Sequence, residues 1–205
     1  MRTRKNPVER RREFIDISME LFCSKGYEQT MVQDICRKAG VAKGTFFYYF
    51  ATKEDVLKAI FEQWSNQFSG EFSRRAETLG AVPKLRLFLQ MSARENAIEP
   101  LVDKLWEEQH NEMVRQLWQR VVMQSFDPLL CEILAKGNEE GAMHVVHVEE
   151  SLQFFWSIVD AMWPYELKES ATEENMTIRS GIASRLMEEL LGIKAGSLAH
   201  FEEAD

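Results

Sequence analysis

The sequence predicts an all-α fold, and three observations support this class. Nearly every long segment repeats apolar residues at the helical spacing of i, i+3, i+4 and i+7. No stretch of useful length alternates apolar and polar residues as a half-buried strand does. Proline and glycine stand where helices should begin and end, as at Pro7, Gly26 and Gly40. A chain of 205 residues, 45% of them hydrophobic, is long enough for a sizeable core in one or two small domains.

The first helix is predicted from Pro7 to Lys25. Asn6 is a suitable N-cap, Pro7 occupies the first helical position, and Glu9 supplies an acid in the first turn. Gly26 ends the helix. The inward stripe is expected to consist of Phe14, Ile17, Ser18, Leu21 and Phe22.

The second helix is expected to begin with a capping box, in which Thr30 is the N-cap and Gln33 stands three residues later. Gly40 follows at the position that favours a left-handed C-terminal cap. One face is therefore predicted to be buried. Its apolar residues are Val32, Ile35, Cys36 and Ala39.

The third helix is predicted from Lys43 to Phe50, after a short turn through Val41 and Ala42. Phe46 and Phe50 stand at i and i+4 and can both pack inward. The rest of the surface then displays a lysine, a threonine and two tyrosines, which a helix used only for packing would not present. A helix displayed in this way is suited to the major groove of DNA.

Thr52 is expected to cap a fourth helix, with Glu54 and Asp55 in its first turn, that runs to about residue 79. Pro128 should kink or break a later helix. The remaining segments predict a loop over 141–147, a frayed tail over 195–205, and about nine helices in total. The later helices are expected at 83–96, 100–109, 111 to about 136, 148–163 and 172–193.

Two stretches of the first sixty residues resemble the tetracycline-repressor (TetR) family of bacterial transcription regulators. The run AGVAKGTFFYYFATKEDVL, from Ala39 to Leu57, is similar to the helix-turn-helix signature of the family. The run FIDISMELFCSKGYEQT, from Phe14 to Thr30, is similar to its first helix and the connection that follows. The chain departs from the family pattern at Ala42, where serine is usual, and at Phe47, where tyrosine is usual.

The resemblance implies a DNA-binding domain over residues 1–53 and a ligand-binding and dimerisation domain over 54–205. By this resemblance, the start of the third helix faces the DNA and contacts the operator, and two tyrosines reach phosphates or base edges. The second and fourth helices contact the DNA backbone. The residues implied are Thr30, Lys43, Gly44, Thr45, Phe47, Tyr48, Tyr49 and Lys53.

The charge distribution agrees with this division. Residues 1–50 contain ten Lys or Arg against six Asp or Glu, whereas the whole chain has a net charge of −8. The basic end can approach DNA, and the acidic remainder cannot.

The body is rich in Trp, Phe and Met, which could line an adaptable apolar cavity, and the resemblance implies an effector pocket among helices 4 to 8. The alternative for each single residue is ordinary core or subunit interface. Carboxylates could instead select a cationic lipophile, although charged residues on helices usually face solvent. The candidate acids are Glu95, Glu107, Glu108 and Asp160, and the predicted pocket residues are Met91, Trp106, Met113, Trp118, Phe126, Phe155 and Trp156.

The last two helices are apolar over more than one face, which predicts burial both within the protomer and against a partner. By resemblance, the partner is a second copy of the chain; the alternative is a monomer that buries both faces itself. The predicted interface residues are Leu152, Val159, Trp163, Ile182, Leu186 and Leu190.

The other candidate chemistries are weak. Cys23, Cys36 and Cys131 suit reduced residues of a cytoplasmic protein, and His144 and His147 have a metal-ligand spacing but lie in a predicted loop. No signal peptide or membrane span is expected, because the longest stretch without charge has nine residues. No catalytic triad, phosphate loop or dinucleotide fingerprint is recognisable, so neither an enzyme nor a cofactor is predicted.

The sequence therefore predicts a ligand-responsive homodimeric repressor of a palindromic DNA operator, released by a small hydrophobic or aromatic molecule. Two other functions stay open: a DNA-binding architectural protein without a ligand, and an unrelated helical enzyme or scaffold.

Overall fold

A computed structural model of the chain describes residues 6–93, 97–162 and 172–199, and the described residues are helical without any strand. This confirms the predicted fold class. The helices are α1 (Pro7–Lys25), α2 (Val32–Ala39), α3 (Lys43–Tyr49), α4 (Lys53–Ala76), α5 (Ala81–Ala93), α6 (Glu99–Glu107), α7 (Asn111–Leu117), α8 (Gln124–Glu139), α9 (Val148–Met162) and α10 (Glu173–Leu191). A π-helical segment, Trp118–Met123, joins α7 to α8.

The described chain divides into two compact units. The first unit comprises Met1–Gln67 and Ala97–Val122, and the second comprises Phe68–Asn96 and Met123–Asp205. The chain passes between the units three times: inside α4, between residues 96 and 97, and inside the π-helical segment. These compact units do not test the predicted boundary after residue 53 between a DNA-binding domain and a ligand-binding and dimerisation domain, which stays a prediction.

Phenylalanine rings form the core around the first three helices. Phe14 of α1 is fully buried, and the centroid of its ring lies 5.4 Å from that of Phe46 and 6.4 Å from that of Phe50. Both contacts are edge-to-face, the arrangement that aromatic quadrupoles prefer. The inward placement of Phe46 and Phe50 is as predicted.

The start of α1 is confirmed in detail, whereas the start of α2 is shifted. Asn6 and Glu9 exchange side-chain and backbone hydrogen bonds as a capping box. The N-cap of α2 is Met31, not Thr30, and the Met31 N–H donates to the Asp34 carboxylate at 3.1 Å. The prediction that Thr30 and Gln33 cap this helix was wrong, because Asp34 is a better acceptor in the neighbouring register.

The structure departs from the prediction before Pro128 and again after α10. The predicted kink at Pro128 is not where the irregularity lies, since Pro128 is inside α8 and the wide π turn precedes it. A proline ring clashes with the carbonyl four residues earlier, so the ladder is disturbed toward the N-terminus. Residues 195–199 are not frayed: Leu198 is fully buried, and its N–H donates to Glu188 at 2.6 Å.

Candidate nucleic-acid interface and apolar groove

The turn between α2 and α3 is set by one glycine. Gly40 has φ 64° and ψ 38°, the left-handed conformation that glycine adopts without steric cost. The next N–H, that of Val41, donates to the Cys36 carbonyl at 3.0 Å and closes the end of α2. The chain can therefore restart as α3 at Lys43 after only two residues.

One side of α3 is core and the other is surface. Phe46 is fully buried, while Phe47 is 46% exposed and Tyr48 is 78% exposed. Lys43 is also exposed, and its Nζ lies 5.5 Å from the centre of the Phe47 ring, within cation–π range. A cation and two aromatic rings therefore lie together on the outer side of this helix.

Gly44 is exposed between these side chains, and a Cβ there would meet no atom within 4 Å. The protein itself therefore leaves room at this point, and a ligand could approach the backbone closely. Thr45 and Tyr49 are only partly exposed, and the Tyr49 ring packs at 5.8 Å from that of Phe14. Tyr49 thus contributes to the core as well as to the surface.

Two residues predicted to touch DNA are used inside the fold instead. Thr30 is 1% exposed, and its hydroxyl donates to the Gly26 carbonyl at 2.6 Å. Lys53 is half-buried, donates to the Tyr27 carbonyl at 2.6 Å, and lies 4.0 Å from the centre of the Tyr27 ring. Neither side chain is free to reach a phosphate in this structure, and the interface proposed below leaves both out.

Sequence reasoning did not identify Met31 as a surface residue of this region, but it is 68% exposed at the N-terminus of α2. Gln33, expected to complete a cap, is exposed as well. The signal was the competing box formed by Met31 and Asp34, which shifts the helix start by one residue and turns both side chains outward.

A bent pair of short helices with an outward second helix is the geometry of the helix-turn-helix. Residues 14–60 match the family model described as bacterial regulatory proteins, tetR family. The match identifies residues 14–60 as a domain of the TetR family type. Residues 14–60 contain α2, the Gly40 turn and α3, which together form the helix-turn-helix and its outer surface.

Related proteins match over a limited part of the chain. The fatty acid metabolism regulator protein of Bacillus subtilis is 41% identical over 56 residues, which are 27% of this chain and 29% of that protein. An uncharacterised HTH-type regulator of the same organism, YerO, is 31% identical over 87 residues, 42% of this chain and 30% of that protein. The chain thus spans about three tenths of the length of these curated relatives.

Solved structures of transcriptional regulators extend the likeness of fold to most of the chain. FadR from Bacillus subtilis in complex with stearoyl-CoA is 23% identical, with a TM-score of 0.63 over 89% of this chain and 99% of that one. A regulator from Saccharomonospora viridis in complex with choline is 15% identical, with a TM-score of 0.64 over 90% and 98%. Because these two proteins bind unlike ligands, the shared fold does not identify a ligand for this chain.

Three of the four predicted pocket residues of the second unit lie in an aromatic cluster. Phe126, Phe155 and Trp156 are buried, with Phe126 and Trp156 stacked at 6.5 Å. The Trp156 indole N–H donates to Asp127 at 2.7 Å, which satisfies a polar group inside this cluster. Met91 is partly exposed in α5.

The other predicted pocket residues lie in the first unit. Trp118 packs on Trp64 with ring centroids 5.8 Å apart, and Arg115 lies 5.7 Å from the Trp106 ring. Met113 is partly exposed in α7. The structure thus divides the seven predicted residues between the two units, and a common effector pocket stays a prediction.

An apolar groove of about 810 Å³ lies between α9 and α10. Ile182, Leu186 and Leu190, three of the predicted interface residues, line it, and the interface itself stays a prediction. Leu152 and Val159 are instead buried within the second unit, so the exposed side of α9 consists of other residues. Trp163 lies outside the described residues. The α9 side of the groove is formed by Phe154, Ser157, Ile158, Ala161 and Met162.

The acid candidates do not gather at one pocket. Glu107 pairs with Lys104 at 3.0 Å, Asp160 is exposed, and Glu108 binds the backbone of the turn after α1. Glu95 lies outside the described residues. A cationic effector therefore has no support from the described members of this group.

The remaining candidates are the thiols and the potential metal ligands. Burial raises the pKa of each of the three thiols, Cys23, Cys36 and Cys131, which disfavours the reactive thiolate. Among residues 6–93, 97–162 and 172–199, no three His, Cys, Asp or Glu side chains are grouped as metal ligands. No helix in those ranges is long and apolar enough to cross a membrane.

Proposed function

We propose that the chain is a cytoplasmic transcriptional repressor that binds a palindromic DNA operator as a homodimer and is released by a small hydrophobic or aromatic effector. The observation that carries the DNA-binding part is the outer side of α3, where Lys43, Gly44, Phe47 and Tyr48 are exposed together. Lysine neutralises phosphate and can donate to a guanine edge, and the aromatic side chains can contact sugars and thymine methyl groups.

The dimer proposal rests on the groove between α9 and α10. Phe154 is 63% exposed and Leu186 is 52% exposed, and Ile178 and Ile182 are exposed beside them. Contiguous exposed apolar side chains on this scale mark an interaction surface. A second copy can bring the same two helices, which would form a four-helix interface around a two-fold axis.

The operator follows from this symmetry. Two copies related by a two-fold axis present two α3 helices, so the bound DNA should be a palindrome. Its half-sites should be about one helical turn, or a multiple of one turn, apart.

The effector proposal is supported by composition and by chain connectivity. Aromatic residues and methionines are abundant in the helices beyond residue 54, and α4 and the π-helical segment each belong to both units. A ligand bound beyond α4 could therefore act on the first unit along continuous helices. It would release DNA only if it binds the two conformations with different affinity.

A selection experiment tests this function. Random DNA duplexes would be enriched on the full-length protein, and the affinity of the selected sequence measured by fluorescence anisotropy at fixed salt. The proposal expects a two-fold symmetric consensus. Candidate hydrophobic and aromatic compounds would then be titrated, and an effector should change tryptophan emission and release the operator over the same concentration range.

The alternatives give other results. Selective DNA binding that no compound alters, across acyl, aromatic and cationic probes, would favour an architectural protein. No enrichment of any sequence would contradict the DNA-binding proposal itself.

A further inference from the structure

The turn between α1 and α2 is held by the carboxylate of Glu108, the C-cap residue of α6. The N–H groups of Tyr27 and Glu28 both point at one oxygen of Glu108, at 2.9 Å and 3.3 Å. Successive backbone N–H groups that converge in this way form a small anion-binding nest. Here the anion is the chain's own side chain, located 81 residues from Tyr27 in sequence.

The nest fits Glu108 closely because residue 26 is glycine. Gly26 has φ 96°, and a Cβ built at this position would lie 1.9 Å from the second carboxylate oxygen of Glu108. Any side chain would collide with this carboxylate and would also strain the backbone. The close approach of Glu108 therefore depends on Gly26.

The segment that follows α6 is shaped to bring two side chains to this turn. Gln109 has φ 63°, the only positive φ at a non-glycine residue in the described ranges, and such strain persists only where the surroundings enforce it. His110 comes next, and its ring meets that of Tyr27 edge-on at 5.4 Å. The Nε2 atom of His110 also lies 3.0 Å from the Glu28 carboxylate.

The opposite side of the turn is bound by Lys53, the first residue of α4. Its ammonium group reaches the Tyr27 carbonyl and lies over the Tyr27 ring. Tyr27 thus joins the start of α4 to the Glu108–His110 segment, four residues before the Met31 N-cap of α2. Because α2 supports α3 through the Gly40 turn, a shift of this segment would displace α3.

We propose that Glu108 is a positioning residue for operator binding: its carboxylate fixes the α1–α2 turn and so sets the orientation in which α3 is presented. Movement of α6 that withdraws the carboxylate would free the turn and lower operator affinity. This inference rests on the proposed DNA-binding function and assigns one point of its regulation.

The test uses the full-length protein with Glu108→Gln, which keeps the shape and removes the charge, and Glu108→Ala, which removes both. Glu107→Gln is the matched control, since it removes the neighbouring carboxylate, which pairs with Lys104 on the surface of α6. Hydrogen exchange at the Tyr27 and Glu28 amides, resolved by NMR, reports on the nest directly. Operator affinity is measured on the selected sequence and on versions with one base pair added to or removed from between the half-sites.

Loss of a hydrogen bond to a charged acceptor should speed exchange at these two amides and weaken operator binding by about tenfold. Glu108→Gln should also discriminate less between the three half-site spacings, which a loss of base contact or of folded protein would not cause. Glu107→Gln should match the wild type. If Glu108→Ala does not fold, the Glu108→Gln result decides.

A Glu108→Gln variant with faster amide exchange but wild-type affinity and spacing preference would overturn the positioning role. Unchanged exchange at both amides would do the same, because the carboxylate would then not hold the turn. A wild-type protein that selects no operator would instead overturn the proposed function, so the two failures are distinguishable.

Discussion

The outer side of α3 and the groove between α9 and α10 are both exposed, yet their chemistry differs. The α3 surface combines a lysine, a glycine and aromatic rings, one of them with a hydroxyl group. The groove is lined mainly by large apolar side chains, as at Phe154 and Leu186. The first surface suits a charged, hydrogen-bonding polymer such as DNA, and the second suits a protein surface of its own kind.

The two surfaces also differ in the free energy that exposure to water costs. A cation on α3 loses little by remaining in water when no DNA is bound. The apolar side chains of the groove are unfavourable in water at all times, so we expect the groove to be covered permanently and α3 to be covered only on the operator.

The largest effect should come from charge in the groove. The double variant Phe154→Glu with Leu186→Glu would place two carboxylates among the apolar side chains of the groove, where burial against a second copy costs their hydration, so association should be lost. Operator affinity should then fall by about a hundredfold or more, because each monomer would bind its half-site alone. Sedimentation equilibrium and anisotropy measure the two losses.

Gln153→Glu is the control for this variant, since Gln153 is exposed on α9 next to Phe154 but does not line the groove. It should associate and bind as the wild type does. A double variant that still dimerises would show that the groove is covered in another way.

The next effect concerns α3 itself. Lys43→Ala and Tyr48→Ala should each weaken operator binding by about 1 to 3 kcal/mol without changing helix content or association. Lys58→Ala removes the same charge from an exposed lysine of α4 that pairs with Glu62, and it should have little effect. Wild-type operator affinity in both α3 variants would remove this helix from the interface.

A Lys53 variant distinguishes a contact within the fold from a contact with a DNA phosphate, because the structure places the Lys53 ammonium group against Tyr27. Lys53→Ala should lower the free energy of unfolding by about 1 to 2 kcal/mol through loss of the bond to the Tyr27 carbonyl and of the ring contact. Urea unfolding measures this change. If Lys53 instead contacts a phosphate in the complex, the slope of log affinity against log salt would decrease by about one.

The smallest effect is expected at Thr30. Thr30→Val keeps the shape and leaves the Gly26 carbonyl without this donor, which should cost about 1 kcal/mol of stability. Thr30→Ser retains the hydroxyl and should lose less. A change in the salt dependence of DNA binding in Thr30→Val, with no loss of stability, would return Thr30 to the interface.

These residues also show what the sequence could and could not predict. The α2–α3 region was predictable because Gly40, Phe46 and Phe50 act locally, within one turn and two short helices. The cap of α2 was not predictable, because two overlapping capping boxes compete. The Thr30 hydroxyl donates to the Gly26 carbonyl instead of capping α2. That preference depends on how the turn after α1 folds, which no local pattern reveals.

The two faces of α9 were ambiguous for a related reason. Leu152 and Val159 are buried while Phe154 is exposed, yet all three are apolar, so the sequence alone does not say which side of α9 packs into the interior of the second unit. The role of Glu108 was out of reach as well, since its partners lie 80 and 81 residues away in the chain. Periodicity identifies helices, but pairing between distant segments requires the tertiary structure.

The most direct test of the central claim, that the groove and α3 act together, is the stoichiometry of the operator complex. Sedimentation equilibrium of the wild-type chain with the selected duplex, followed at the absorbance of a dye on the DNA, gives the mass of the complex. We predict two chains per duplex, and two chains per particle for the protein alone at micromolar concentration. A single chain bound to the complete operator with full affinity would contradict the account.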